Sequence, residues 1–170
     1  LQQYALVVVD DAEKRKALGV AHAPVAIIAL ADQYRIKRWC EANQSAPVCN
    51  TTAHHLFLAF WDAIIVLHNI VVAAESLGLG TCYIGRIQAA DIQEILGAPE
   101  HVFPAGMVCL GYPDESPPLK TRLPLEAVVH RNTYHRPTDV EIREFYKERD
   151  ALWETTSAER KAQLAAQNVH

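Results

Sequence analysis

Hydrophobic positions along this chain fall into short unbroken runs of strand length and one long run with helical spacing. Leu1 to Val9 is rich in β-branched residues and ends at Asp10 and Asp11, which predicts a buried strand, and Asp11 to Leu18 then reads as a short charged helix. Pro24 to Ala31 is a second unbroken run, predicting a strand covered on both faces and closed by Asp32. From Gln33 to Asn50 basic, aromatic and turn residues succeed one another without a period. That predicts a long excursion, of a kind that in compact domains usually has a function or moves.

Thr51 and Thr52 can cap the long helical run, along which Leu56, Phe60, Ala63, Leu67, Ile70, Ala74 and Leu77 recur at helical spacing. The residues between them are largely apolar too, so this helix is expected to be buried on most sides, in the domain centre or against a second subunit. Behind it comes AAESLGLGTCYIGR, Ala73 to Arg86, with a break at Gly78 and Gly80, a strand-like stretch from Thr81 to Ile84, and Gly85. Gly78 suits the left-handed end of a helix. Gly85 sits behind a strand, where a bare backbone can face a flat ligand. Ala89 to Leu96 reads as a short amphipathic helix ended by Gly97 and Pro99, and Ala105 to Tyr112 as another central strand. Pro113 to Pro124 is held extended by its prolines, and Leu125 to His130 suits one turn of helix. Thr138 with Glu141 makes a capping box for a helix to about Trp153, and Thr156 with Glu159 repeats it for a last helix. Both helices are polar and amphipathic, and a partner subunit could supply the surface they need.

With 170 residues, half of them hydrophobic, the chain has material for one domain with a full core. Its net charge of -4 and scattered Lys and Arg residues argue against nucleic acid as a partner. Four cysteines without CxxC spacing suggest a reducing, cytoplasmic compartment. The apolar region from Leu56 to Leu79 raises the question of a membrane, but Asp62, His68, Asn69 and Glu75 interrupt it. A charge at the centre of a spanning helix costs about 2.5 to 3.5 kcal/mol on insertion scales. A buried helix of a soluble protein with no membrane partner is the expectation. Leu1 to Val9 carries no secretory leader, and a start that already reads as a strand suggests a preceding segment.

Eight histidines invite a metal, yet neighbouring His54 and His55 would point roughly 100 degrees apart on a helix. No HExxH or Cys/His pairing with ligand spacing accompanies them, so no metal site is expected. A GxSxG elbow, a GxGxxG fingerprint and a P-loop lysine are also missing. Lys120 and Arg122, two apart on an extended backbone, can project the same way and grip a phosphate. The same charges also suit a solvated loop, and the residues alone do not separate the two readings.

AAESLGLGTCYIGRI, with LGAPEHVFPAGMVCLGYPDESPPLKTRLPLEAVVHRNTYH downstream, resembles the nitroreductase-like family of FMN-dependent oxidoreductases. The likeness is greatest to its oxygen-insensitive NADPH nitroreductase and flavin reductase branch, and runs from about Leu1 to about Trp153. It implies an α+β sandwich, a mainly antiparallel sheet flanked by helices, in one FMN-binding domain that forms an intertwined homodimer with FMN at the interface. By position, Ile84, Gly85 and Arg86 would line the isoalloxazine, Lys120 and Arg122 would hold the phosphate, and Gln2, Gln3 and Tyr4 would belong to a flavin-contact segment. Arg86 stands where many relatives have a second glycine, and could orient a substrate.

The resemblance further implies NAD(P)H as electron donor and ping-pong hydride transfer to a small-molecule acceptor, a nitroaromatic, quinone or flavin. It demands no side-chain acid or base, so no catalytic residue is named beyond the flavin contacts. The alternative is a flavin-binding protein of the same fold without efficient turnover. The family's arginine and serine cluster near the N-terminus has no counterpart here, the long helix carries His68-Asn69 where glutamine-asparagine is usual, and the link from Lys16 to Ala21 is short.

Overall fold

The computed structural model forms one antiparallel sheet from β1 (Tyr4–Val9), β2 (Val25–Asp32), β3 (Gly80–Ile84) and β4 (Val102–Gly111), in the order β1-β2-β4-β3. It describes residues 2–46, 52–85 and 89–167, with the backbone alone at 89, 90, 154–156 and 158–167. The helices are α1 (Ala12–Ala17), α2 (Tyr34–Ala42), α3 (Ala53–Ser76), α4 (Ala89–Leu96) and α5 (Asp139–Gln167). The described chain divides into two compact units, Leu1–Glu115 and Ser116–His170.

In the first unit the sheet carries a core on each face. Ala26, Ile28, Leu30 and Met107 pack with Val9 and with Ile92 of α4 on one side; Ala29 and Val108 pack with Ala63 and Leu67 of α3 on the other. Such alternation comes from the two-residue period of a strand, and it makes β2 apolar at nearly every position. β4 holds a proline although it lies between β2 and β3. The register explains this: Pro104 pairs with Leu30 and Gly106 with Ala29, leaving Ala105 extra, and β3 reaches only to Met107. Pro104 therefore sits at an irregularity with no β3 neighbour, where a missing N–H costs no ladder bond.

β1 departs from the buried strand expected of Leu1 to Val9. It is an edge strand, with Ala5, Val7 and Val9 on the core and Leu6 and Val8 exposed. A run rich in β-branched residues fits a covered strand and an edge strand equally, and the sheet order decides between them.

α3 starts at Thr52, whose Oγ1 accepts from the backbone N–H of His55. It ends in a left-handed cap: Gly78 has φ +72, its N–H donates to Glu75, and Leu79 N–H donates to Ala74, both at 3.0 Å. Its inner stripe is Ala59, Ala63 and Leu67, and Gly106 lets it lie close to the sheet. A Cβ on Gly106 would come within 3.0 Å of Leu67 Cδ2 and 3.1 Å of Ile64 Cδ1. The opposite face leaves Phe57, Trp61, Ile65 and Val72 exposed. α3 is long and apolar enough to cross a bilayer, with mean hydropathy 2.1, but its Ala63–Leu67 stripe is a core face of the sheet.

Two further expectations are corrected, one in each unit. The excursion from Gln33 to Asn50 contains α2, opened by Asp32 Oδ1 accepting from Arg35 N–H at 2.9 Å. Only Ile36 and Cys40 of α2 are buried, four residues apart, too thin a stripe to stand out as a period. Pro47 to Thr51 lie outside the described residues.

In the second unit, the two helices expected after Thr138 are one continuous helix, α5, because the Thr156–Glu159 pattern does not interrupt it. The first capping box is formed: Thr138 N–H donates to Glu141 Oε2 at 2.7 Å, and Glu141 N–H returns to Thr138 Oγ1 at 3.4 Å. Before it, residues 116–124 are irregular and extended, and Leu125–Ala127 make a single tight turn.

Candidate functional site

The run from Ala73 to Arg86 folds as the end of α3, its glycine cap, and β3 as an edge strand of the sheet. Being an edge, β3 has one side of its backbone without a strand neighbour among the described residues. Ile84 turns its side chain onto the core shared with α4. Next along the chain, Gly85 is exposed, with ordinary φ, and an added Cβ there would meet nothing within 4 Å among the described residues. A bare backbone with open space over it is what a flat ring needs in order to lie close. Arg86 lies outside the described residues.

Tyr83 and Cys82 leave β3 on opposite faces. The Tyr83 hydroxyl is 3.2 Å from His68 Nδ1 on α3, so the strand that leads into Gly85 is also tied to the long helix. Sequence reasoning noted His68 only as a departure from a family pattern; its contact needs the helix and strand packed together.

Gln2, Gln3 and Tyr4 stand at the start of β1, held from three directions. Gln3 N–H donates to Asp62 Oδ2 of α3 at 3.0 Å, and Gln3 O accepts from Asp32 N–H at 3.0 Å. Arg35 of α2 donates through Nη2 to the carbonyls of Gln2 and of Tyr4, the latter at 2.8 Å, and pairs with Asp32 at 3.6 Å. Gln2 adopts φ +54 and is exposed, whereas Gln3 is buried. Arg35 and Asp62 are thus the residues that shape this segment. Sequence reasoning missed both, reading Asp62 as an interruption of an apolar run and Arg35 as part of a loop; the spacing of Asp32 to Arg35, a helix-opening pattern, was the available signal.

These two groups are not brought together within one chain. β1 and β3 are opposite edges of the sheet and Ile84 is level with Val7, so Gln2–Tyr4 is separated from Ile84 by three strand spacings, about 14 Å, across the sheet and by about 10 Å or more along it. In the second unit, Lys120 and Arg122 are exposed on the extended segment, and Arg122 Nη1 donates to Lys120 O at 3.3 Å. Arg122 also borders a groove with Lys147 and Arg149, balanced by Glu126, Glu144 and Glu148. A cavity of about 780 Å³ between α4 and the start of β4, lined by residues such as Gln93, His101 and Phe103, holds none of the expected site residues.

Two ionisable groups are displaced from their ordinary values. Burial, and then the neighbouring Cys82, push the Cys109 thiol up. Hydrogen bonds from the Thr138 backbone and then its hydroxyl hold the Glu141 carboxyl down.

An antiparallel four-stranded sheet with helices packed on both faces defines an α+β protein. The chain belongs to the nitroreductase family, a family of oxidoreductases: the Nitroreductase family model matches residues 1–112. It is 32% identical to the NADPH-flavin oxidoreductase of Vibrio harveyi, an alignment covering 99% of this chain and 72% of that protein. It is 34% identical to the oxygen-insensitive NADPH nitroreductase of Salmonella typhimurium, over 92% of this chain and 67% of that one. Against the solved NADPH:FMN oxidoreductase of Vibrio harveyi complexed with NAD+, the TM-score is 0.76 at 33% identity, covering 96% of this chain and 74% of that one. Against NfrA2 of B. megaterium it is 0.83 at 32% identity, covering 92% and 68%. The chain therefore spans about two thirds to three quarters of the length of these relatives.

Proposed function

We propose that this protein is an FMN-dependent NAD(P)H oxidoreductase acting by ping-pong transfer on a nitroaromatic, quinone or flavin acceptor. The observation that carries the reading is the exposed, unobstructed Gly85 at the end of an edge strand, within a chain whose relatives include a flavin oxidoreductase and an FMN reductase. Ile84 and Gly85, with Arg86, would line the isoalloxazine through backbone rather than side chains, and Gln2, Gln3 and Tyr4 would contact flavin from the segment that Arg35 and Asp62 hold. Lys120 and Arg122 would hold the phosphate, a dianion met by a point charge and a planar fork. When bound, FMN supplies the redox chemistry, accepting hydride from NAD(P)H and passing reducing equivalents to the acceptor. The protein positions the reactants, and donor and acceptor use one face in turn. Arg86 would orient the acceptor, so Arg86→Ala should raise KM with FMN content unchanged.

Residues 1–170 are taken as one FMN-binding domain that works as a homodimer. The exposed Phe57, Trp61, Ile65 and Val72 on α3 support this, because a contiguous apolar helix face calls for cover. The separation of Gln2–Tyr4 from Gly85 also supports it, since two protomers can bring the two edges to one ring. Exposed Val140, Leu152 and Trp153 favour α5 packing on the partner subunit. We place the protein in the cytoplasm, as its free Cys40, Cys82 and Cys109 suggest.

The test is anaerobic: purified protein reconstituted with FMN should bleach on NADPH and recover colour with a quinone or nitroaromatic, giving parallel double-reciprocal plots. FMN binding without bleaching would make it a flavin-binding protein without turnover, and failure to take up FMN would overturn the reading.

A further inference from the structure

β3 and β4 place Cys82 directly opposite Cys109 in the antiparallel register. Residues so paired have Cα atoms about 4.5 or 5.5 Å apart, depending on the type of pair, and both spacings fall in the roughly 4.4 to 6.8 Å range of disulfides. Both side chains leave the sheet on the face shared with Ile84 and Met107, because directly paired residues share a face. The two thiols differ in access: Cys82 is exposed, with Sγ 3.8 Å from the Tyr83 carbonyl, while Cys109 is half-buried against the core.

We propose that Cys82 and Cys109 form a reversible cross-strand disulfide, a redox modification site on the strand that carries Gly85. Its oxidant is a low-molecular-weight disulfide of the glutathione class. The Cys82 thiolate attacks one sulfur of that disulfide, forming a mixed disulfide and expelling one small thiolate. The Cys109 thiolate then attacks Cys82 Sγ, closing the protein disulfide and expelling the second. Two protein thiols lose two electrons, the small disulfide gains them, and the two protons end on the released thiols. Exposure makes Cys82 the entry point. Burial raises the Cys109 thiol and makes it the poorer entry point, and it takes the resolving step because the sulfur it attacks already lies opposite it. The bond ties edge strand β3 to β4 just before Ile84 and Gly85.

The experiment uses the full chain, reduced and then exposed to glutathione disulfide, quenched by alkylation and digested without reductant. A Cys82–Cys109 linked peptide is expected, lost on adding dithiothreitol, with this pair oxidised on the order of tenfold faster than buried Cys40. Cys109→Ser should stop at the stable glutathione adduct on Cys82, and a melting curve checks that this variant is folded. A wild-type adduct that persists on Cys82, pairing of Cys82 with Cys40 or Cys49, or a Cys82 cross-link between chains would each overturn the proposal.

Discussion

Replacing Gly85 by valine separates folding from cofactor binding. Among the described residues the added Cβ meets nothing within 4 Å, and the backbone there is not left-handed, so the first carbon of the new side chain brings no clash and the backbone no strain. The unfolded chain meanwhile loses conformational freedom, worth about 0.4 to 1 kcal/mol in favour of the variant for substitutions of this kind. Stability should therefore hold or rise slightly. The contrast is Gly106→Ala, where the new methyl would lie 3.0 Å from Leu67 Cδ2 and 3.1 Å from Ile64 Cδ1, an overpacking that costs about 1 to 3 kcal/mol. For the cofactor the order reverses. A branched side chain at residue 85 holds a flat ring away from the backbone, and losing one hydrogen bond with its contacts costs about 1.5 to 3 kcal/mol. That is roughly a ten- to hundredfold rise in Kd. Thermal melts of the flavin-free protein and titration of FMN by fluorescence quenching read the two effects apart. Wild-type FMN affinity in Gly85→Val would place the ring elsewhere, and a stability loss above about 2 kcal/mol would contradict the open space at Gly85.

Removing either phosphate-binding candidate, by Lys120→Ala or Arg122→Ala, should weaken FMN about tenfold or more while leaving riboflavin, which has no phosphate, bound as before; parallel titrations check this. Arg35→Met should free the Gln2–Tyr4 segment, at about 1 to 2 kcal/mol, seen as faster amide exchange at the start of β1. Leu67→Ala should cost about 3 to 5 kcal/mol in denaturant unfolding, since Leu67 is fully buried between Ala29, Ala63 and Val108. The Glu141 carboxyl is held below its ordinary value, so its stabilising contribution is present at neutral pH and disappears as pH falls through the lowered value. In a carboxyl-carbon NMR titration, Thr138→Ala should move that midpoint up but not fully, because the backbone donor at residue 138 remains.

Periodicity and punctuation determined much of this chain locally. β2 and α4 were legible because a strand covered on both faces and a short amphipathic helix each leave a pattern of their own. α3 and its glycine end were legible because a threonine cap and a left-handed glycine are local devices that act within one turn. α2 was not, since two buried side chains make no visible period, and the end of α5 was misread because the Thr156–Glu159 capping pattern starts a helix only where the chain before it is not already helical.

Of the candidate site, residue type and spacing marked Gly85 behind its strand and the paired cations Lys120 and Arg122, and left open whether those cations meet a phosphate or solvent. Tertiary structure alone decided that β1 and β3 are opposite edges of the sheet, that Cys82 faces Cys109, and that Arg35 and Asp62 hold Gln2 to Tyr4. The physical reason is the same in each case. Strand order, register and contacts between distant elements are fixed by how buried faces fit together, and that energy belongs to pairs of residues far apart in the chain, which no local pattern records.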